Sequence, residues 1–154
     1  MPDVDASQGP VRRPPQSILF VCSENSVRSP MAEALTRKIS NNKVYVASVG
    51  LRRGRTDGFA AEVLREIGIE SGPRPPRAWE EFEDEAFDLV ISLTPEARDR
   101  IAELARGAPT ELAYWPTPDP TLVEGSRETV LDAYRALRDG LARRIHDLFA
   151  ARRA

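Results

Sequence analysis

The chain has 154 residues, 41% of them apolar and 30% charged, with a formal net charge of −2. That length suits one domain with an ordinary core, and the near-balanced charge gives no electrostatic reason to expect nucleic acid or an anionic membrane as partner. No apolar run approaches the ~20 residues of a membrane span, and the N-terminus lacks a signal-peptide core. One cysteine and one histidine exclude an internal disulfide and argue against a zinc site or a histidine-based triad; a reducing cytoplasm is the expected location.

Residues 1–16, "MPDVDASQGPVRRPPQ", have almost nothing to bury and read as a disordered extension. Residues 17–154 then form one domain. "SILFVC" (17–22) is apolar on both faces, as a central parallel strand requires. After "SENSVR" a helix is expected to begin one residue beyond Arg28, with Ser29 as its cap and Pro30 in its first turn. Met31, Ala34, Leu35 and Ile39 give it an apolar stripe. "KVYVAS" (43–48) is a second strand, and "VGLRRGRTDG" reads as a loop. A second helix over 58–67 puts Phe59, Val63 and Ile67 on one face and ends at Gly68.

"GPRPPR" is a rigid connector, and "AWEEFEDEAFD" holds a short helix. "FDLVISL" (87–93) is the third strand. Thr94 and Pro95 open a helix that Gly107 closes, and "ELAYW" (111–115) is a fourth strand. The proline-rich "PTPDPTLVEG" leads to a long last helix starting at Ser126, with Val130, Tyr134, Leu137, Leu141, Ile145 and Leu148 at three- and four-residue steps. Trp79, Phe82 and Trp115 read as core or rim packing, and His146 as a surface residue. Strands alternating with helices predict a parallel α/β sheet with right-handed crossovers. Ligands of such sheets sit beyond the carboxyl ends of the strands. Cys22, the loop after Ser48 and the "PTPDP" loop all converge there.

A loop leading into a helix offers unpaired backbone N–H groups and the positive end of the helix dipole. A thiol in such a place ionises more easily, its pKa falling from about 8.5 to between roughly 3.5 and 7.5. The six residues Ser23 to Arg28 can wrap their amides around a tetrahedral oxyanion with the sulfur beneath its centre. Arg28 adds a planar fork suited to two phosphate oxygens. Thiolate, cradle and arginine together make a covalent phosphoryl-transfer site.

The stretch "LFVCSENSVRSPMAEAL", a C-x5-R-S motif between a strand and a helix, resembles the low-molecular-weight protein tyrosine phosphatase superfamily, which includes thiol-dependent arsenate reductases. The resemblance covers about residues 17–150. It implies a three-layer α/β sandwich with a four-stranded parallel sheet in the order 2-1-3-4 and helices on both faces. It also implies Cys22 as nucleophile, Arg28 as the transition-state-stabilising residue, and Ser23, Glu24, Asn25, Ser26, Val27, Arg28 and Ser29 as the phosphate-binding loop. Asn25, whose residue type tolerates a left-handed backbone, matches the family's loop asparagine; Ser29 matches the serine that supports the thiolate. Ser48 matches a serine that bonds to that asparagine, or simply ends its strand. Asp119 of "PTPDP" matches the family's general acid, or forms an ordinary Asp-Pro turn.

Three departures stand out. Glu24 replaces the usual glycine of the loop. Thr121 and Leu122 follow Asp-Pro where tyrosine phosphatases have aromatic residues, and Arg52, Arg53 and Arg55 occupy the loop that usually supplies another. The segment from Tyr114 to Ile145 resembles the arsenate reductases instead, yet "VISLTPEA" lacks the thiols that an internal disulfide relay needs. Three functions follow from the resemblance. The first is a phosphatase acting on a phosphomonoester, foremost protein phosphotyrosine, through a phosphocysteine and releasing inorganic phosphate. The others are an arsenate reductase drawing on an external small thiol, and a non-catalytic phosphate-binding module. None calls for a cofactor or metal.

Overall fold

The computed structural model describes residues 13–70 and 75–152. Most of the expected extension, 1–12, and part of the proline-rich connector, 72–74, therefore lie outside the described residues. Gln16 is tied to the sheet: its N–H donates to Asp88 Oδ2 at 2.8 Å, and its carbonyl accepts from Tyr45 N at 3.0 Å.

The elements, in order, are β1 (Ser17–Glu24), α1 (Arg28–Ile39), β2 (Tyr45–Arg52), α2 (Gly58–Arg65), β3 (Leu89–Ser92), α3 (Pro95–Leu104), β4 (Glu111–Tyr114) and α4 (Arg127–Ala151). One 3-10 turn covers Trp79–Glu81 and another Pro120–Leu122. The four strands form a parallel sheet in the order β2-β1-β3-β4.

Alternation along β1 divides the core. Ile18, Phe20 and Cys22 face one side, where α1, α2 and α4 pack with Met31, Leu35, Val63, Leu64, Leu131, Leu137, Leu141 and Ile145. Leu19 and Val21 face the other, with Val90, Ala97, Ile101, Phe82 and Phe87. A fully buried side chain such as Phe20 contributes about 1.5–3 kcal/mol, and helices on both faces make three layers. Both faces of β1 are thus covered, which is why its sequence is apolar throughout.

Several local expectations need correction. Helix α1 begins at Arg28 with Val27 at its N-cap and no side-chain cap bond. Ser29 is therefore inside the first turn, and its hydroxyl is engaged elsewhere. Strand β2 runs four residues past Ser48, because Gly50 pairs with Cys22 and Arg52 with Glu24. Pairing to the central strand overrides the loop-like composition. Helix α2 stops at Arg65, leaving Ile67 beyond it and 37% exposed, while Gly68 turns at φ +82°. The expected short helix after the connector is one 3-10 turn, and Trp115 lies just past β4. A left-handed backbone occurs not at Asn25 but at Asn41 and Asn42, where the chain turns from α1 to β2.

The caps foreseen for α3 and α4 are present: Thr94 Oγ1 accepts from Ala97 N at 3.1 Å, and Ser126 Oγ from Thr129 N at 3.1 Å. His146 is exposed. Among the described residues, no helix is long and apolar enough to cross a membrane.

Candidate active site

Cys22 is fully buried near the carboxyl end of β1, beneath the turn that leads into α1. Its Sγ lies 2.9 Å from Ser29 Oγ and 2.6 Å from the Glu24 carbonyl. That carbonyl also accepts from Ser26 N at 2.8 Å, so it faces the floor of the cradle. Burial pushes the Cys22 thiol pKa up; the Ser29 hydroxyl, the Ser29 main chain, the Arg28 charge and the Glu24 main chain all oppose it. The expected easier ionisation is therefore not realised in this geometry. Removal from solvent outweighs the loop's favourable groups, and the thiol can donate to Glu24 O.

Asn25, 1% exposed, sits at the centre of the loop. Its Nδ2 donates to Ser29 Oγ at 2.8 Å and to Ser48 Oγ at 3.0 Å, while its Oδ1 accepts from Arg77 N at 2.8 Å. These three bonds tie Asn25 to Ser29, Ser48 and the main chain of Arg77. Ser48 also donates to Glu33 Oε1 at 2.6 Å. The cradle rests directly on Gly50: a Cβ there would lie 2.4 Å from Asn25 N and 2.8 Å from Glu24 C. Gly54 plays a similar part at the lip, where a Cβ would lie 2.1 Å from Ser26 Oγ and 2.8 Å from Glu24 Cβ.

Arg28, the first residue of α1, donates from Nη1 to Thr117 O at 3.2 Å, and its Nη2 stands 3.8 Å from Asp119 Oδ2. Asp119 caps the Pro120–Leu122 turn, accepting from Thr121 N at 3.0 Å and Thr121 Oγ1 at 2.6 Å through Oδ1. The second carboxylate oxygen is thus left on the Arg28 side. An open cleft of about 400 Å3 joins these groups, lined by Ser23, Glu24, Ser26, Val27, Arg28, Arg52, Asp119 and Thr121. Among the described residues, no aromatic side chain lines it. Glu24 is exposed at its rim, and Arg52 is engaged by Glu96 at 2.7 Å, Arg53 by Glu81 at 2.9 Å. Val27 is 4% exposed, so its side chain faces the core and leaves only its main chain for the cradle. Ser23 Oγ meets Thr94 Oγ1 at 3.1 Å, linking the cradle to the start of α3. No group of three or more metal-ligating side chains is found among the described residues.

Glu33, Arg77, Gly50, Thr117 and Gly54 join the site without having been expected there from the sequence. Glu33 had a signal: it follows Ser29 by four residues, so both lie on one face of α1. Arg77 had none, since its contacts arise only when the connector folds back onto the loop.

The family model for the low molecular weight phosphotyrosine protein phosphatase matches residues 17–153. An arsenate reductase of Halalkalibacterium halodurans is 30% identical over 128 residues, 83% of this chain and 91% of the relative. A glutaredoxin arsenate reductase of Synechocystis is 35% identical over 78 residues, 51% of this chain; the match spans only 60% of that relative. The solved structure of an arginine phosphatase from Geobacillus stearothermophilus superposes with a TM-score of 0.71 at 31% identity, covering 87% of this chain and 90% of that one. With its parallel sheet, its C-x5-R-S loop and this match over nearly its whole length, the chain belongs to the low molecular weight phosphotyrosine protein phosphatase family and is an enzyme of that hydrolase type.

Proposed function

We propose that the chain is a cysteine-dependent phosphatase of a phosphomonoester. The observation that carries the reading is the cleft that Arg28 and Asp119 share, lined by the loop beneath which Cys22 is buried, with Arg28 touching both the acid loop and the helix start. The Cys22 thiolate attacks phosphorus; an S–P bond forms while the P–O ester bond breaks. Asp119 gives its proton to the leaving oxygen. Water then attacks the phosphocysteine, its proton passing to Asp119, and the S–P bond breaks to release inorganic phosphate and the thiolate. Arg28 holds two equatorial oxygens through its fork, and the main chain from Ser23 to Ser29 supplies further donors. Chemistry of this kind needs one thiol, the number the chain has. Such a thiol stays reduced in the cytoplasm.

Phosphotyrosine in a protein is the first substrate to consider, although a cleft without aromatic lining gives the phenol ring no stacking partner. The arginine phosphatase relative makes phosphoarginine, a phosphoramidate, the second; there the P–N bond breaks in place of the ester P–O bond and the proton of Asp119 goes to the leaving nitrogen. Arsenate reduction is the competing reading, supported by the relatives named arsenate reductase. There the Cys22 adduct of arsenate would be attacked by an external thiol, releasing arsenite and leaving a mixed disulfide on Cys22.

One parallel assay decides between them. Phosphate release is measured from an aryl phosphate, a phosphotyrosine peptide and phosphoarginine, beside thiol consumption with arsenate plus glutathione and glutaredoxin. Phosphate release without arsenate-dependent thiol consumption supports the proposal; the converse establishes the reductase.

A further inference from the structure

The phosphate loop carries a carboxylate of its own, Glu24, where glycine is usual. Its place is set by the sheet: Glu24 is the last residue of β1 and pairs with Arg52, the last residue of β2. The side chain then passes over Gly54. A Cβ on Gly54 would lie 2.8 Å from Glu24 Cβ, 3.0 Å from Glu24 Oε1 and 2.1 Å from Ser26 Oγ. The bare backbone at 54 therefore leaves the space that the carboxylate occupies, next to Ser26 at the lip of the cradle. Glu24 is exposed there and lines the cleft.

The cations of this region are already matched. Arg28 is engaged by Thr117 O and Asp119, Arg52 by both oxygens of Glu96 at 2.7 and 3.2 Å, and Arg53 by Glu81. Arg55 is exposed and does not line the cleft. The Glu24 carboxylate makes no hydrogen bond or ion pair among the described residues. It reaches Arg52 only as a charge across the strand pair, the least of the influences on that guanidinium.

A lone carboxylate beside a site for a phosphate dianion opposes phosphate itself. It favours a substrate only where the part outside the cradle is cationic or rich in N–H groups, because a carboxylate accepts and never donates. A guanidino group fits best, since its planar fork can place two parallel N–H bonds on one carboxylate. A phenol ring offers Glu24 no donor, and no aromatic side chain among the described residues lines the cleft to hold it.

We infer that Glu24 is a specificity-determining residue, which selects a phosphate carried on a guanidino group, as in phosphoarginine, over phenol and alkyl esters. The inference deepens the proposed function and rests on it. Cys22 forms the S–P bond as the P–N bond breaks, and the electron pair stays on the leaving nitrogen, which takes the proton of Asp119. Glu24 moves no proton; it accepts from the unphosphorylated N–H groups of the guanidino group.

The test compares the full chain with Glu24→Gln, which keeps the shape and removes the charge, and with Glu24→Asp, which keeps the charge on a shorter arm. Values of kcat/KM are read for phosphoarginine, phosphotyrosine and an alkyl phosphate. The ratio of phosphoarginine to phosphotyrosine should fall about tenfold in Glu24→Gln, the loss of a hydrogen bond to a charged group. Inorganic phosphate should inhibit Glu24→Gln more strongly than the wild type, because a like charge is gone. Glu24→Asp should recover part of the ratio. The same comparison is made without turnover by calorimetric titration of Cys22→Ser, with and without Glu24→Gln, using phosphoarginine and inorganic phosphate. A tenfold loss of phosphoarginine binding relative to phosphate, with no hydrolysis by the wild type, would end the phosphatase reading and keep the role of Glu24. Hydrolysis with an unchanged ratio in Glu24→Gln overturns the inference and keeps the phosphatase. Failure of Cys22→Ser to bind phosphoarginine, or equal losses for both ligands, overturns it as well.

Discussion

Two polar networks in this molecule use similar residues to different ends. Behind the cradle, Asn25, Ser29, Ser48 and Glu33 are all at most 1% exposed and joined by bonds of 2.6–3.0 Å. Between α2 and α4, Arg135 bonds Glu66, Glu128 and Asp132 near the surface, while the buried Arg138 bonds Glu66 from beneath. In the first network the groups are buried, and a lost partner leaves one unsatisfied at about 1–3 kcal/mol. Around Arg135 in the second, water can replace a lost partner, and salt screens what remains. The first network therefore fixes the loop above Cys22, whereas the second clamps two helices together.

The largest effect is expected at the buried end of that comparison. Cys22→Ser should abolish turnover while leaving the thermal transition and phosphate binding close to the wild type, because the hydroxyl is nearly isosteric but stays protonated. Residual phosphatase activity in a pure sample would remove Cys22 from the chemistry. Next is Arg28→Lys. A point charge cannot make the bidentate contact, and kcat/KM should fall about 10²–10³-fold, the usual loss for one donor to a developing oxyanion. Near-normal kinetics would leave Arg28 as a helix-start residue only.

Asn25→Ala strips partners from Arg77 N, Ser29 and Ser48 together. Urea unfolding should show a loss of about 2 kcal/mol or more, from unsatisfied buried groups. A neutral result would mean that water replaces the amide and that the network is not the rigid one described.

The open network gives the smallest effect, and its sign is set by pH. Arg135, then Arg138, hold the Glu66 carboxyl down at about 2. A depressed acid contributes stability above its unfolded pKa near 4.3 and loses that contribution as pH falls toward 2. The difference in thermal midpoint between wild type and Arg135→Gln should be small at pH 7 and shrink with added salt. It should then vanish between about pH 4.3 and 2. A gap that persists in high salt at pH 2 would show that Arg135 acts by packing.

Legibility in the sequence follows the same division. The parallel sheet and the approach of Asp119 to Arg28 depend on chain-local patterns and on parallel topology, which "SILFVC", "RSPMAEA" and "PTPDP" carry; the strand order is legible only through the family resemblance. The extension of β2 was hidden, because "VGLRRG" has loop composition and only its pairing with Cys22 and Glu24 makes it a strand. Ser29 looked like a cap because its type and position fit one, but its hydroxyl is drawn inward by Asn25. Arg77 contributes a main-chain N–H across 52 residues, a contact that no side-chain pattern encodes. The raised pKa of Cys22 was equally out of reach, since burial is a property of the packed fold.

In the proposed reaction Cys22 carries the phosphoryl group and Asp119 moves the protons. The most direct measurement is the mass of the protein quenched in acid during turnover of an aryl phosphate, comparing wild type with Asp119→Asn. Without a base to activate water, the variant should accumulate an adduct of about 80 Da, one phosphoryl group. Peptide mapping should place that adduct on the segment containing Cys22. Continued turnover with no adduct at Cys22, or an adduct on another residue, would contradict the account.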